Sequence, residues 1–214
     1  MQQVAPEAVP EARLRANLGA VLARLRDFTA AEQQFAAATA ALDVAHDPAS
    51  AGAVYRGLGR LRLATEQRAE AISALRLAAS LFERAGRADE VAATRLECGT
   101  ALLAAADARG AIGELSRALQ GFETATAIGR DEARAELDAL LALADAYEQL
   151  KQPKYALTFL ERAVERARRG ADRDRRAALL ERAIAAARAA GRDALAAEFE
   201  RERASLPPAN APER

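Results

Sequence analysis

The feature that most constrains this chain is a pattern of small and large residues that repeats every 40 positions. A glycine returns at that spacing within three segments that otherwise favour helix, at Gly19, Gly59 and Gly99. A glycine inside a helix costs about 1 kcal/mol relative to alanine. Its regular return therefore indicates that each glycine lets a neighbouring helix come closer than a side chain would allow.

Further columns keep the same register in the second half of each unit. An alanine, a large apolar residue and another alanine follow the glycine in order: Ala31, Phe35 and Ala38, then Ala71, Leu75 and Ala78, then Ala111, Leu115 and Ala118. A fourth unit follows after a five-residue slip, with Leu143, Ala144, Ala156, Leu160 and Ala163. Small residues facing large ones at this spacing are typical of antiparallel helices that pack ridges into grooves. The chain is predicted to stack helix pairs.

The composition and the candidate helix-start and helix-end residues favour an all-α fold. Aromatic residues make up 4% of the chain, whereas alanine, leucine, arginine and glutamate are abundant, which favours helix over strand. Candidate N-terminal signals are Asp47 before Pro48, Gln152 before Pro153, and a capping box at Thr29 and Glu32; Gly86, Gly129, Gly170 and Gly191 are candidate helix ends. They predict helices over about 11–26, 29–45, 48–65, 68–85, 88–106, 108–128, 131–151, 153–169, 173–190 and 192–204.

The columns resemble the tetratricopeptide repeat, and the first unit matches that family's positions with Leu18, Gly19, Leu22, Phe28, Ala31, Phe35 and Ala38. The large aromatic residue of the family's fourth position is matched only by Tyr55, and the 40-residue period resembles the extended variant of bacterial regulatory and scaffold proteins. The resemblance implies a right-handed α-solenoid over 11–205. Its repeats would cover 11–47, 48–87, 88–129 and 130–170, followed by a capping helix pair at 171–205, between a flexible lead at 1–10 and a disordered tail at 206–214.

The resemblance also implies a groove that binds a peptide or helix of a partner protein, which makes the chain a non-catalytic interaction scaffold. Carried onto this sequence, the groove positions include Arg13, Arg24, Arg56, Arg60, Leu63, Leu96, Thr100, Leu103, Asp138, Leu141, Asp145 and Glu148. From the first repeat to the fourth, these positions change from arginine to apolar residues and then to acidic residues, so the groove could orient a partner. The alternative is that they are solvated helix faces. A module that senses a ligand or peptide and controls a separate effector is a second hypothesis.

Several classes of chemistry have no support in the sequence. Cys98 and His46 are the only cysteine and histidine, which argues against a metal site, a catalytic triad and an intrachain disulfide. Cys98 takes a leucine position of the repeat, so we expect a buried, inert thiol, and we expect His46 to cap the second helix. We predict no cofactor and no enzyme activity, since no glycine-rich phosphate loop is present.

The balanced charge of the chain makes nucleic acid a weaker candidate for the partner than protein. Lysine plus arginine equals aspartate plus glutamate at 31 each. An arginine cluster near Gly170 could contact phosphate, but no aromatic residues interleave for base stacking, and a solvated turn explains it better. Its members are Arg166, Arg168, Arg169, Arg173, Arg175 and Arg176. The sequence shows no secretory or membrane-spanning pattern, so we expect a cytoplasmic protein, of bacterial origin from its arginine bias, and a homo-oligomer stays open.

Overall fold

The computed structural model describes residues 8–42, 44, 46–124, 130–169 and 173–206. These residues form ten helices and no strand, which confirms the all-α prediction. The helices are α1 (Ala8–Arg24), α2 (Phe28–Ala40), α3 (Pro48–Ala64), α4 (Arg68–Arg84), α5 (Ala88–Ala104), α6 (Ala108–Thr124), α7 (Arg130–Gln149), α8 (Pro153–Arg168), α9 (Arg173–Ala189) and α10 (Asp193–Ala204). None of the described helices has the length and the apolar run needed to cross a bilayer.

The chain divides into two compact units. Unit 1 covers Met1–Ala127 and contains α1 to α6, and unit 2 covers Ile128–Arg214 and contains α7 to α10. Within each unit, helices that follow one another across a short turn pack side by side as antiparallel pairs. The predicted stacking of helix pairs is confirmed. The five-residue slip between the third and fourth repeats is shared between a longer α7, which has 20 residues against 17 in α5, and the connection at 125–129, which lies outside the described residues.

The predicted signals for helix starts are confirmed in part. Gln152 lies at the N-cap of α8 with Pro153 in the first turn, as predicted, but its side chain makes no capping hydrogen bond. Asp47 caps α3 as predicted, since its carboxylate accepts a hydrogen bond of 2.9 Å from the backbone N–H of Ser50. Thr29 and Glu32 form no capping box, because α2 begins earlier and Asp27 accepts from the backbone N–H of Ala30 at 3.1 Å. That helix ends at Ala40 and not near residue 45 as predicted, so His46 lies beyond its last turn.

The first helix also starts earlier than the sequence suggested. We predicted a start at residue 11, whereas α1 begins at Ala8 with Pro10 inside its first turn. Proline is tolerated there, because the N–H groups of a first turn have no acceptor within the helix. The rest of the predicted lead, 1–7, and most of the predicted tail, 207–214, lie outside the described residues.

Six turns share one geometry, in which the second residue after the helix has a positive φ. Gly86 and Gly191 adopt it, with φ of 67° and 72°, as their predicted role at helix ends requires. The same conformation occurs without glycine at Arg26, Glu66, Ala106 and Lys151. In each turn two backbone N–H groups donate to carbonyls of the last helical turn, as in a Schellman motif, for example Ala106 to Leu103 at 3.0 Å. The predicted helix ends at Gly129 and Gly170 lie outside the described residues.

The repeated glycines lie where we predicted close packing. A Cβ added to Gly19 would lie 3.0 Å from the Phe35 ring and 3.3 Å from the carbonyl oxygen of Ala31. At Gly99 the added atom would lie 2.5 Å from Leu115, and Gly59 has the same relation to Leu75 at 2.8 Å. Each missing side chain therefore makes room chiefly for the large residue sixteen positions later.

Candidate functional site

Unit 1 contains a groove of about 410 Å³ between α1 and α3, closed at one side by residues at the start of α5. Its walls carry Arg13 and Asn17 from α1 and Arg56 and Arg60 from α3. The remaining lining residues are Ala16, Ala20, Phe35, Asp47, Ala49, Ser50, Ala53, Val54, Gly57, Phe82, Arg87 and Glu90. The structure therefore brings together three of the arginines that the sequence analysis assigned to a groove.

Two phenylalanine rings reach the groove because glycines on α3 make room for them. A Cβ on Gly57 would lie 2.6 Å from the ring of Phe35, and one on Gly52 would lie 3.0 Å from the ring of Phe82. The sequence analysis did not assign Gly52, Gly57 or Phe82 to the site. The crowding of three glycines into the short segment 52–59 was the available signal.

Arg56 and Arg60 on α3 both bind Glu97 on α5, the first helix of the next pair. Arg60 donates from Nη2 to Glu97 Oε1 at 2.5 Å and from Nε to Oε2 at 2.9 Å. Arg56 donates to Oε1 from Nη2 at 2.5 Å and from Nε at 3.0 Å. The Nη1 group of each arginine is not used by these four bonds. One carboxylate thus fixes the direction of two guanidinium groups along the groove.

The carboxyl group of Glu97 is half-buried but ionised. Burial by itself would raise the pKa of its carboxyl group, but the hydrogen bonds from Arg60 and Arg56 and the charges of both arginines together outweigh burial. The pKa of Glu97 therefore lies below its ordinary value, and the group is ionised at neutral pH. Two cations share one anion here, so the cluster keeps a net positive charge.

The other predicted groove residues of unit 1 do not line this cavity. Arg24 is exposed in the last turn of α1, and Leu63 is half-buried near the end of α3. On α5, Leu96 and Leu103 are half-buried, and Thr100 is exposed and donates to the carbonyl oxygen of Glu97 at 2.9 Å. Only Arg13, Arg56 and Arg60 of the predicted set for this unit meet in one place.

The acidic residues predicted for the far end of the groove lie in unit 2, where arginines of α9 pair with them. Asp138 pairs with Arg175, and Arg182 donates to Asp145 at 2.5 Å and to Glu148 at 3.2 Å. Glu148 and Arg182 also line a cavity of about 360 Å³ with Lys151, Gln152, Pro153, Ala156, Ala185, Ala186 and Ala189. Leu141 is half-buried on α7. The sequence analysis did not foresee these pairs, whose members are 34 and 37 residues apart.

The arginine cluster around 166–176 is largely occupied by ion pairs. Arg166 donates to Glu136 at 2.7 Å, and Glu202 accepts from both Arg168 at 2.6 Å and Arg176 at 2.5 Å. Arg169 pairs with Glu165 at 3.3 Å. Residues 170–172 and the side chain of Arg173 lie outside the description. Because carboxylates neutralise the described arginines, this region offers little uncompensated charge to a phosphate backbone.

Cys98 is buried beside a second ion-pair network and is not poised as a nucleophile. Burial, and after it the charge of Glu114, raises the pKa of the Cys98 thiol to about 11. Glu114 itself accepts from Arg95 at 2.8 Å and from Arg76 at 3.3 Å. The expectation of a buried thiol is confirmed. Within the described residues, no group of three histidine, cysteine or acidic side chains is arranged to hold a metal ion.

Comparisons with known proteins give the fold. No family model matches the sequence, and no curated protein matches it. Among solved structures it is similar to BtubC (BKLC) from P. vanneervenii, with 18% identity, a TM-score of 0.69, and coverage of 97% of this chain and 92% of that one.

Two further structures with a similar fold are described as containing tetratricopeptide repeats. One is YrrB, a TPR protein with an unusual peptide-binding site, at 17% identity, a TM-score of 0.61, and coverage of 92% of this chain and 86% of that one. The other is a signal transduction ATPase from Pyrococcus horikoshii with a tetratricopeptide repeat sensor. It has 16% identity and a TM-score of 0.76, and the match covers 91% of this chain and 30% of that one. The chain therefore has the α-solenoid fold of tetratricopeptide-repeat proteins, as its columns of glycine and alanine indicated.

Proposed function

We propose that this protein is a non-catalytic interaction module, and that the groove of unit 1 binds a peptide or helical segment of a partner protein. The observation that carries the proposal is the pair of guanidinium groups, Arg56 and Arg60, held in fixed directions by Glu97 at the wall of a groove whose accessible apolar lining is alanine. A surface that positions charged donors beside apolar area before a ligand arrives loses little conformational entropy on binding.

The residues of the groove favour a segment that combines apolar side chains with at least one carboxylate. Accessible apolar surface in the groove comes from Ala20, Ala49 and Ala53, because the deeper lining residues are almost fully buried: Phe35 1%, Phe82 4% and Val54 0% exposed. The lining has four arginines against the two carboxylates Asp47 and Glu90. Arg60 is 58% exposed, so a ligand can reach it while Glu97 keeps its other donors engaged. A carboxylate placed opposite Nη1 would make a charge-assisted hydrogen bond, and an apolar neighbour would contact the alanines of the groove wall.

The test is a peptide selection followed by titration. Random peptides displayed on phage are selected against the immobilised protein, and the enriched peptides are synthesised and titrated by calorimetry. We expect enrichment of acidic and apolar residues together. We also expect Arg60→Ala to weaken binding about tenfold or more, since it removes a hydrogen bond to a charged group.

A matched control and a blocking variant make the result specific. Arg84 is an exposed arginine in the last turn of α4 and is not part of the groove lining, so Arg84→Ala should leave the affinity unchanged. Ala53 is exposed on the groove wall, and Ala53→Phe should block binding by filling the space. Peptides that bind Arg60→Ala and Ala53→Phe as well as they bind the wild type would refute the groove as the binding site.

A sensing role is the second candidate, and the likeness to a signal transduction ATPase with a tetratricopeptide repeat sensor favours it. In this case a ligand or peptide would shift the packing of successive helix pairs and so control a separate effector. Small-angle scattering with and without a selected peptide tests this candidate. Superimposable profiles at saturating peptide would argue for a passive scaffold.

A further inference from the structure

Helix α1 carries an apolar stripe that the described part of the chain does not cover. Among the described residues, six large hydrophobic side chains are exposed; three of them lie on this helix, and a fourth belongs to the residue that directly follows it. The stripe consists of Leu14, Leu18, Val21 and Leu25, which are 70%, 47%, 51% and 72% exposed. The remaining two, Leu77 and Tyr155, lie on different helices.

The equivalent positions of the later repeats show what such a stripe does when it is covered. Forty residues on, Val54 and Leu61 are 0% and 1% exposed, whereas Leu58 and Thr65 are half-buried. Forty further, the first three equivalents are buried and the fourth is exposed: Thr94, Cys98 and Ala101 at 0%, 1% and 3%, and Ala105. Val54 and Leu61 belong to the core that also contains Ala31, Phe35 and Ala38 of the preceding helix pair. The stripe positions on α1 itself, Leu14, Leu18 and Val21, therefore correspond to positions that the later helix pairs of unit 1 mostly bury.

The spacing of the stripe fits pairing with another helix. Its residues follow one another at intervals of four, three and four positions, which is the spacing of the apolar seam in a two-stranded coiled coil. The neighbouring Arg15 is paired with Glu11 at 2.7 Å, so charge beside the seam is partly neutralised within the same helix. At 100° per residue, the stripe is centred roughly 90° from the groove residues Arg13 and Asn17, so the stripe and the groove lie on different sides of α1.

The opposite terminal helix pair of the chain does not offer a matching surface. The exposed side of α10 carries Ala194, Ala197, Glu198 and Arg201, and its large apolar residue Phe199 is 4% exposed. Ion pairs occupy other residues of this helix, such as Arg203 with Glu181 at 2.9 Å. Within the described residues, the helix face that matches the stripe of α1 in apolar area is that same stripe on another molecule. A self-complementary patch of this kind produces a closed two-fold dimer.

We propose that two copies of this chain associate through α1, with the two helices antiparallel and the stripes in contact. In this arrangement Leu14 of one copy lies opposite Leu25 of the other, and Leu18 lies opposite Val21. The dimer does not depend on the groove or on its ligand, so either proposal can fail while the other stands.

The first test is the association state across micromolar concentrations, measured by sedimentation equilibrium. We expect a monomer–dimer equilibrium for the wild type, and a monomer for the Leu18→Glu, Val21→Glu double variant with unchanged helix content by circular dichroism. Leu77→Glu is the matched control, because Leu77 is 42% exposed on α4 and lies outside the stripe, and it should dimerise as the wild type does. A monomeric wild type, a dimer that survives the double substitution, or an open-ended series of oligomers would each overturn the proposal.

The second test reads the orientation of the helices. Leu14→Cys and Leu25→Cys proteins are prepared separately, mixed and oxidised, and the buried Cys98 does not compete. The antiparallel arrangement predicts that disulfides form mainly between the two different variants. Cross-links that form mainly within each variant alone would show a parallel contact and would contradict the antiparallel arrangement.

Discussion

The substitution Gly99→Ala tests whether the repeated glycine is required by packing. The new methyl group would lie 2.5 Å from Cγ and Cδ2 of Leu115, a side chain that is 0% exposed and therefore has little room to move. Gly113 supplies the comparison, because it lies inside the adjacent helix α6 and a Cβ there would meet nothing within 4 Å.

The expected magnitudes follow from two opposing effects. Replacing a mid-helix glycine by alanine stabilises a helix by about 1 kcal/mol, and this gain is common to both variants. Inserting a methyl group into a well-packed core costs about 1–3 kcal/mol, and this cost applies to Gly99 alone. We therefore expect Gly113→Ala to raise the free energy of unfolding by about 1 kcal/mol, and Gly99→Ala to lie about 1–3 kcal/mol below it.

Urea unfolding followed by far-UV circular dichroism measures both values, and the slopes of the transitions show whether the two variants can be compared. The difference between the variants removes the helix-propensity gain and leaves the packing cost. If Gly99→Ala stabilises the protein as much as Gly113→Ala does, then the glycine column is not explained by close packing, and the reading of the repeat is wrong.

Four further substitutions or treatments test single features. Thr94 has a fully buried hydroxyl without a hydrogen-bond partner in the described structure, and it occupies the position that Val54 has one repeat earlier. Thr94→Val should therefore raise the free energy of unfolding in urea by about 1–3 kcal/mol, with the exposed Thr100→Val as the control. Ala106 has a φ of 59°, so Ala106→Gly should stabilise by about 0.5–1 kcal/mol, and a loss of stability would contradict the strained turn. The pKa of Glu97 is lowered, so the stability that its charge contributes is present above the ordinary pKa of 4.5 and is lost as pH falls through the lowered pKa. Glu97→Gln should therefore destabilise the protein at neutral pH but much less in acid. Urea unfolding at both pH values measures the difference. Because burial raises the pKa of Cys98 to about 11, its thiol should resist alkylation at mildly alkaline pH in the native protein and react once urea unfolds it, a contrast that mass spectrometry detects.

The sequence predicted those parts of the structure that depend on local signals or on the repeat. The residues that recur with Gly19 and Phe35 at 40-residue spacing predicted the helix pairs, and Asp47 before Pro48 predicted the start of α3. These features are set by neighbours in the chain or by a spacing that recurs several times, so a single sequence is enough to find them.

The charged contacts of the site could not be predicted in the same way. Arg60 and Glu97 are 37 residues apart, three less than the repeat period. Their pairing depends on how far α5 is shifted along its axis relative to α3, the first helix of the preceding pair. The turn residues Glu66 and Ala106 were also missed, because a positive φ is a property of the fold there and has no glycine to mark it. A charge on a helix surface has several arginines or carboxylates within reach, and only the packed structure selects among them.

The way Glu97 joins α3 to α5 has a consequence for how small a working version of the groove can be. Helices α1 and α3 supply most of the walls, so a fragment with the first two helix pairs would retain nearly the whole outline of the site. It would lack the carboxylate that aims Arg56 and Arg60, and both guanidinium groups would then sample many rotamers in water. The shortest segment that can recognise a ligand as the whole protein does is therefore expected to include the third helix pair, and truncation mapping that stops earlier should underestimate the affinity.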